Sequence, residues 1–178
     1  STKGYAQVGI RELCRSLDIR ESSFYNHYKS KGELFEKILD CFDEMSGRVV
    51  FSEREIEDMV KSGDVRYFLE ENMKKFSYNT SNPLYHTMLQ IVLMESYINS
   101  QAYRLARKNL YHLRRNYTEK VLRGMMEKGY IKECDVEVVT AEYYYTLKGL
   151  LDEYLLHQTW NESTDEIVRR IKNHVGFF

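Results

Sequence analysis

The chain of 178 residues contains a single proline, and its nine glycines are spread thinly. A turn-rich all-β protein uses far more of both, which excludes that architecture. Cysteine is scarce as well. Cys14, Cys41 and Cys134 are odd in number and far apart, with no CxxC pair and no Cys/His cluster. That usage argues against a disulfide scaffold or a zinc site, and it fits a reduced, cytoplasmic setting. Long apolar runs are missing, because Glu95, Lys148 and Asp152 interrupt the longest ones well short of a membrane span. There is no signal-peptide pattern. Neither a Gly-rich phosphate loop, nor metal-ligand spacing, nor a nucleophile with a neighbouring base can be found. His86, His112, His157 and His174 are scattered. The expectation is therefore a non-enzyme without metal or cofactor.

What is present favours helices. The chain is 43% hydrophobic, enough for a real core, and rich in Leu, Lys, Glu, Arg and Met. The fold class expected is all-α. The net charge of −1 conceals an asymmetry. Residues 1–31 carry six Lys/Arg and three Asp/Glu, for +3, while the rest carries 20 bases and 24 acids, for −4. A cationic end on a mildly acidic body points to an anionic partner for that end alone.

Helix punctuation is easy to read. Gly4 has the position of a helix-ending glycine. A helix over 8–17 puts Ile10, Leu13, Cys14 and Leu17 on one face. A tight turn through Asp18 and Ile19 leads to a second helix over 21–28. Ser30 and Glu33 have capping-box spacing and open a helix to about 45; Ser52 and Glu55 repeat the pattern before a helix stopped by Gly63. Residues 64–78 form the next. Asn82-Pro83 opens a helix to about 99 that is apolar on nearly every side, as a central, buried helix would be. A long helix spans about 102–128 and ends at Gly129. Asp135 caps one reaching about 157, and Ser163 with Glu166 caps the last. The organisation expected is a small module, 1–46, followed by a larger helical bundle, 47–178.

Two short helices joined by a tight turn describe a helix-turn-helix. Phe24 and Tyr28, four residues apart, would join Ile10, Leu13 and Ile19 in its core. Ser22, Ser23 and Asn26 then face outward, where small hydroxyls permit close approach to base edges and Asn can pair with adenine. Tyr25, His27 and Lys31 flank that face and suit phosphates, which position the module without specifying sequence. Lys31 also stands at the start of a capped helix, whose free N–H groups suit an anion.

Gly4-Tyr5, Ile10-Arg11-Glu12-Leu13, Ile19, Ser23-Phe24-Tyr25, His27-Tyr28, Lys31 and Leu34 resemble the TetR-family DNA-binding domain, ungapped, over about a quarter of the chain. The most specific part is Tyr25-x-His27-aromatic-x-x-Lys31. The resemblance implies an all-α homodimeric transcription regulator, usually a repressor. It also implies that Tyr25, His27 and Lys31 hold phosphates while the outer face of 21–26 reads bases. There are departures. Asp18 stands where the family commonly has Gly, and it tolerates the left-handed region. Gly9 and Arg20 replace the usual Ser/Thr caps; Gly caps acceptably, whereas Arg20 is placed to reach a phosphate or a guanine. The family's first helix is largely missing, so the natural protein is expected to carry about a dozen or more residues before Ser1.

Beyond residue 46 no motif stands out. Clustered Tyr and Met suit a flat, apolar small-molecule effector, with Tyr85, Met88, Glu95, Tyr111 and Tyr144 as candidate contacts, although plain core explains such a stripe more often. Glu95, on an apolar helix, needs a partner. An ion pair with Arg104, Arg107 or Arg114 is the simplest, and a cationic or hydrogen-bonding ligand is the sharper alternative. Tyr143, Leu147, Leu150, Leu151, Tyr154, Ile167 and Ile171 form wide stripes on the last two helices and are the candidate dimer interface, though an intramolecular core gives the same pattern. The function expected is a sequence-specific regulator that binds double-stranded DNA and is released by a ligand in the body. The alternative is a constitutive DNA-binding dimer that recruits another protein.

Overall fold

A computed structural model describes residues 5–178, apart from the side chains of residues 79 and 80. Gly4 lies outside the described residues. After a 3₁₀ turn at Tyr5–Gln7 the helices are α1 (Ile10–Ser16), α2 (Glu21–His27), α3 (Lys31–Gly47), α4 (Glu53–Ser62), α5 (Val65–Thr80), α6 (Pro83–Glu95), α7 (Ser100–Ala106), α8 (Leu113–Glu127), α9 (Val136–Thr159) and α10 (Asp165–Phe177). Among the described residues there is no strand, and no helix is long and apolar enough to cross a membrane. The fold is all-α.

Local chemistry sets most boundaries. Ser52 and Glu55 form a reciprocal capping box, and Gly63 ends α4 with φ at 66°. The Asn82 side chain accepts from the N–H groups of Leu84 and Tyr85, with Pro83 at the first position of α6. Asp135 caps α9 in the same way. Ser30 accepts from the Glu33 N–H, but Glu33 reaches past it to the Lys29 N–H. Ser163 does not cap α10: the helix starts one residue later, and the Ser163 hydroxyl turns to Asp165. Residues 102–128 are not one α-helix. Asn99 caps α7, and a π-helical turn, Arg107–His112, separates it from α8. Such insertions carry no simple sequence signal.

The chain divides into two compact units, residues 1–48 with 79–110, and residues 49–78 with 111–178. The first boundary falls close to the sequence break at 46, but residues 79–110 return to the unit that holds the helix-turn-helix. In the first unit α3 packs on α6 and α7. Phe42 on α3 is fully buried and stacks on Tyr85 at 5.4 Å between centroids. Asp43 binds Lys108 at 2.9 Å and Asn109 at 2.7 Å. Burial is the largest influence on Asp43 and pushes its carboxyl up; the two hydrogen bonds and the Lys108 charge outweigh it and hold the group below the usual range.

The second unit packs α8 against α4 and α9, and α9 against α10. Its core gathers Phe51, Phe68, Tyr117, Val121, Met125, Tyr143, Leu147, Leu151, Ile167 and Ile171. At its centre the Tyr117 hydroxyl donates to Asn72 Oδ1 at 2.6 Å, and Asn72 donates to the Tyr143 hydroxyl at 3.1 Å. Where α4 crosses α8, a Cβ on Gly124 would stand 2.9 Å from both methyls of Val60.

Three expectations are corrected. Helix α6 is not buried all round: Leu84 and Met94 are exposed on it, as are Tyr97 and Ile98 just beyond its end, Tyr97 at 90%. The helix also ends at Glu95 rather than near 99. Leu17 and Ile19 are 60% and 41% exposed, so the core of the helix-turn-helix rests on Cys14 and Phe24, with Ile10 and Leu13 half-buried. The Tyr143, Leu147, Leu151, Ile167 and Ile171 side chains are buried within the second unit, with Leu150 and Tyr154 packed against them. An antiparallel helix pair must first cover its own stripe, and here that use takes the residues read as a partner surface.

Candidate nucleic-acid interface

Helix α1 ends in a turn built from three main-chain bonds: Leu17 N–H to Leu13 O, Asp18 N–H to Arg15 O, and Ile19 N–H to Cys14 O. The turn requires one left-handed residue, and Asp18 supplies it at φ 52°. Asp adopts this region more readily than most side chains do. The chain then leaves α1 at the angle that starts α2. Phe24 anchors α2 from below and touches Tyr25 and Tyr28 at about 5.5 Å between centroids. An ion pair between Arg11 and Glu21, 3.2 Å long, ties α1 to the first turn of α2.

With Phe24 inward, helical spacing decides what faces out. Ser22, Tyr25, Asn26 and His27 are exposed, and Ser23 is half-buried. Arg20 precedes the helix in an extended conformation, makes no side-chain cap bond, and is exposed. Arg15 and Lys29 are exposed on either side. The result is a polar, hydroxyl- and amide-bearing helix face bordered by cations. Such a face can enter a major groove, because small side chains reach base edges and the flanking cations meet phosphates.

Lys31 occupies a different position from the one its spacing suggests. Its ammonium donates to Tyr5 O at 2.6 Å and to Val8 O at 3.0 Å, and it stands 4.2 Å from the Tyr5 ring centroid. An ammonium has three protons, so at most one remains for a phosphate. Lys31 therefore fastens the segment before α1 to the start of α3. Glu95 completes the arrangement. It is only 3% exposed, and its Oε1 accepts from the Tyr5 N–H at 2.7 Å. Its partner is thus a main-chain group rather than Arg104, Arg107 or Arg114. The Tyr5 ring lies against Phe35 of α3 at 4.6 Å. Tyr5 is held at its N–H, its carbonyl and its ring, and sequence reasoning assigned it no such role. A buried acid on the apolar α6 was the one available signal, and it named the acceptor without naming the donor.

The other candidate contacts fall in different units. Tyr85, Met88 and Glu95 are buried in the first unit; Tyr144 is buried and Tyr111 exposed in the second. Burial pushes the Tyr144 and Tyr143 phenols well above their ordinary range, and the Arg114 charge and the Asn72 hydrogen bond respectively oppose it. Among the described residues no group of His, Cys, Asp or Glu is arranged to hold a metal ion.

An all-α chain with a polar-faced second helix, a left-handed turn residue and flanking cations defines a helix-turn-helix DNA-binding protein. The family model of the bacterial regulatory proteins, tetR family, matches residues 1–38. The N-terminal module is that of a TetR-family regulator, and the chain is a DNA-binding transcriptional regulator. Searches of curated proteins and of solved structures find no match.

Proposed function

We propose that this regulator is a homodimeric repressor that reads a pseudo-palindromic operator and leaves it when a small molecule binds the body. The carrying observation is the exposed polar face of α2, set on a module whose leading segment is clamped by Lys31 and Glu95. Ser22, Ser23 and Asn26 contact bases; Arg20, Tyr25 and His27 contact phosphates. Lys31 serves chiefly to position the module. Two heads would bind half-sites separated by whole helical turns of about 34–36 Å.

The dimer needs a surface other than the stripe buried in the second unit's core. The outer face of α9 supports one. Val138, Tyr145 and Leu156 are exposed along it, with Trp160 just past its end, and among the described residues nothing beyond the helix's own backbone and the adjacent residues lies within 4 Å of a Cβ placed on Gly149. A small residue between apolar ones lets a second helix approach closely. Release would follow if the ligand prefers a dimer form whose heads no longer match the half-site spacing. Helix α3 is the natural lever, since Lys31 at its start holds Tyr5 while Phe42 and Asp43 further along are bound to α6 and to the π-helical turn. The exposed apolar residues of α6 support the second reading, a constitutive DNA-binding dimer that recruits a protein partner.

Selection of bound duplexes from a random pool, followed by anisotropy titrations at several salt concentrations, tests the proposal. The expected product is a pseudo-palindrome bound by two chains, with binding that weakens steeply as salt rises. Binding without sequence preference would overturn it. DNA affinity that no small molecule alters would favour the second reading.

A further inference from the structure

Arg114 lies on α8 and is 9% exposed. Its guanidinium stands 5.2 Å from the centroid of the Phe76 ring. Its charge acts on Tyr117 and Tyr144, opposing the rise that burial imposes on both phenols, which places both rings within electrostatic reach. Among the described residues it has no carboxylate partner. Other cations of the same unit do: Lys75 has Glu55, Arg115 has Glu137, Lys120 has Glu53, and Lys148 has Asp152. A guanidinium taken from water without a counter-ion is a heavy burden on a fold, and an aromatic face relieves it only in part.

A second group points the same way. Thr140 on α9 is completely buried, and among the described residues its hydroxyl has no hydrogen-bond partner. It sits one turn after Glu137 and one turn before Tyr144. Glu137 reaches Arg115 at 2.9 Å, and Tyr144 lies within reach of the Arg114 charge. Thr140 therefore belongs to the stretch of α9 that faces this part of α8. Tyr117 is already committed to Asn72, and Lys148 to Asp152. Among the described residues, the buried donors left there for a newcomer are the planar fork of Arg114, the Thr140 hydroxyl and the Nε of Arg115. The cluster reaches the surface at Tyr111, which also acts on Tyr144 and is exposed.

We infer that Arg114 binds the carboxylate of an apolar organic acid, with the Thr140 hydroxyl as a further donor and the body of the acid against Phe76 and the tyrosines. The guanidinium fork matches a carboxylate in two parallel bonds. One cation in aromatic surroundings balances one negative charge, so a monoanion fits where inorganic phosphate would remain under-neutralised. The inference rests on reading the body as an effector domain, and it assigns the effector's chemical class.

The test compares benzoate and octanoate with benzamide and octanamide on the full chain, by calorimetric titration and thermal melting. The carboxylates are expected to bind and raise the melting temperature, and the amides to bind at least tenfold more weakly. Arg114→Met, folded by circular dichroism, is expected to lose carboxylate binding. Arg114→Lys keeps the charge without the fork and should weaken binding several-fold, which decides the matter if the Met variant does not fold. Equal binding of acids and amides, no binding of either acid, or unchanged affinity in the variants would overturn the inference. Amides that bind and release operator DNA would overturn it while sustaining ligand-controlled regulation. Acids that bind through Arg114 without altering DNA affinity would sustain it and overturn the regulatory reading.

Discussion

Among the described residues each unit buries one charged side chain, Glu95 in the first and Arg114 in the second, and the two are treated differently. Glu95 is satisfied inside the chain by the Tyr5 N–H. Arg114 has an aromatic face beneath it and, among the described residues, no carboxylate. A buried charge that is bonded to the main chain holds two segments in register, because separating them strands both partners. A buried charge left without a counter-ion does no such work for the fold, and it is affordable only if its value lies elsewhere. The comparison separates a residue that fixes the segment before α1 from one whose charge the fold leaves without a counter-ion.

Variants can break or sharpen that contrast. The largest effect is expected for Glu95→Ala, which leaves the Tyr5 N–H without its acceptor; the loss should be about 2–3 kcal/mol in urea unfolding, together with weaker DNA binding. Arg114→Met, measured the same way, should leave stability unchanged or raise it, because it removes an unpaired buried charge. Equal losses in the two variants would erase the distinction. Gly124→Leu should lose about 1–3 kcal/mol by forcing α4 away from α8 at Val60, a packing effect confined to the second unit. At the DNA, Lys31→Ala should weaken binding about tenfold with little change in salt slope, whereas Arg20→Ala should lower the slope by about 1. A Lys31 slope change as large as that of Arg20 would restore it as an ordinary phosphate ligand.

The smallest effect is in acid. Lys75 and the Ser52 N–H hold the Glu55 carboxyl down to about 2 from a reference value of 4.5. A carboxyl depressed in the folded state adds stability above its unfolded value, and that stability drains as pH falls from about 4.5 towards 2. Asp43, also held low, acts in the same direction in the first unit. Glu55→Gln should flatten this part of the stability–pH curve; an unchanged curve would remove Glu55 as a contributor. Because the Glu55 side chain is nearly half exposed, solvent screening keeps the effect small.

Much of the secondary structure could be read in advance. The Ser52–Glu55 box, Asn82-Pro83, Gly63 and Asp135 act through bonds to neighbours within a few residues, so the chain carries the whole instruction locally. Phe24 inward and Asn26 outward followed from helical spacing. The misreadings share a cause. The π-helical turn at 107–112, the exposure of Ile19 and Leu17, and the burial of Tyr143 and Leu147 depend on what another helix brings alongside. A stripe of apolar residues states that something will cover it without stating whether its own chain or a second one will do so.

Residues 10 to 31 by themselves determined that one end of this protein is a DNA-binding helix-turn-helix, because that chemistry is contained within two helices and a turn. Only the tertiary structure decided that Lys31 and Glu95 meet on Tyr5, and that, among the described residues, Arg114 is buried without a carboxylate and the Thr140 hydroxyl without a hydrogen-bond partner. The bonds that use Tyr5 run to its main-chain N–H and carbonyl, which every non-proline residue possesses and which therefore leave no mark in a sequence. A missing counter-ion leaves none either, since it is known only when every neighbour has been placed.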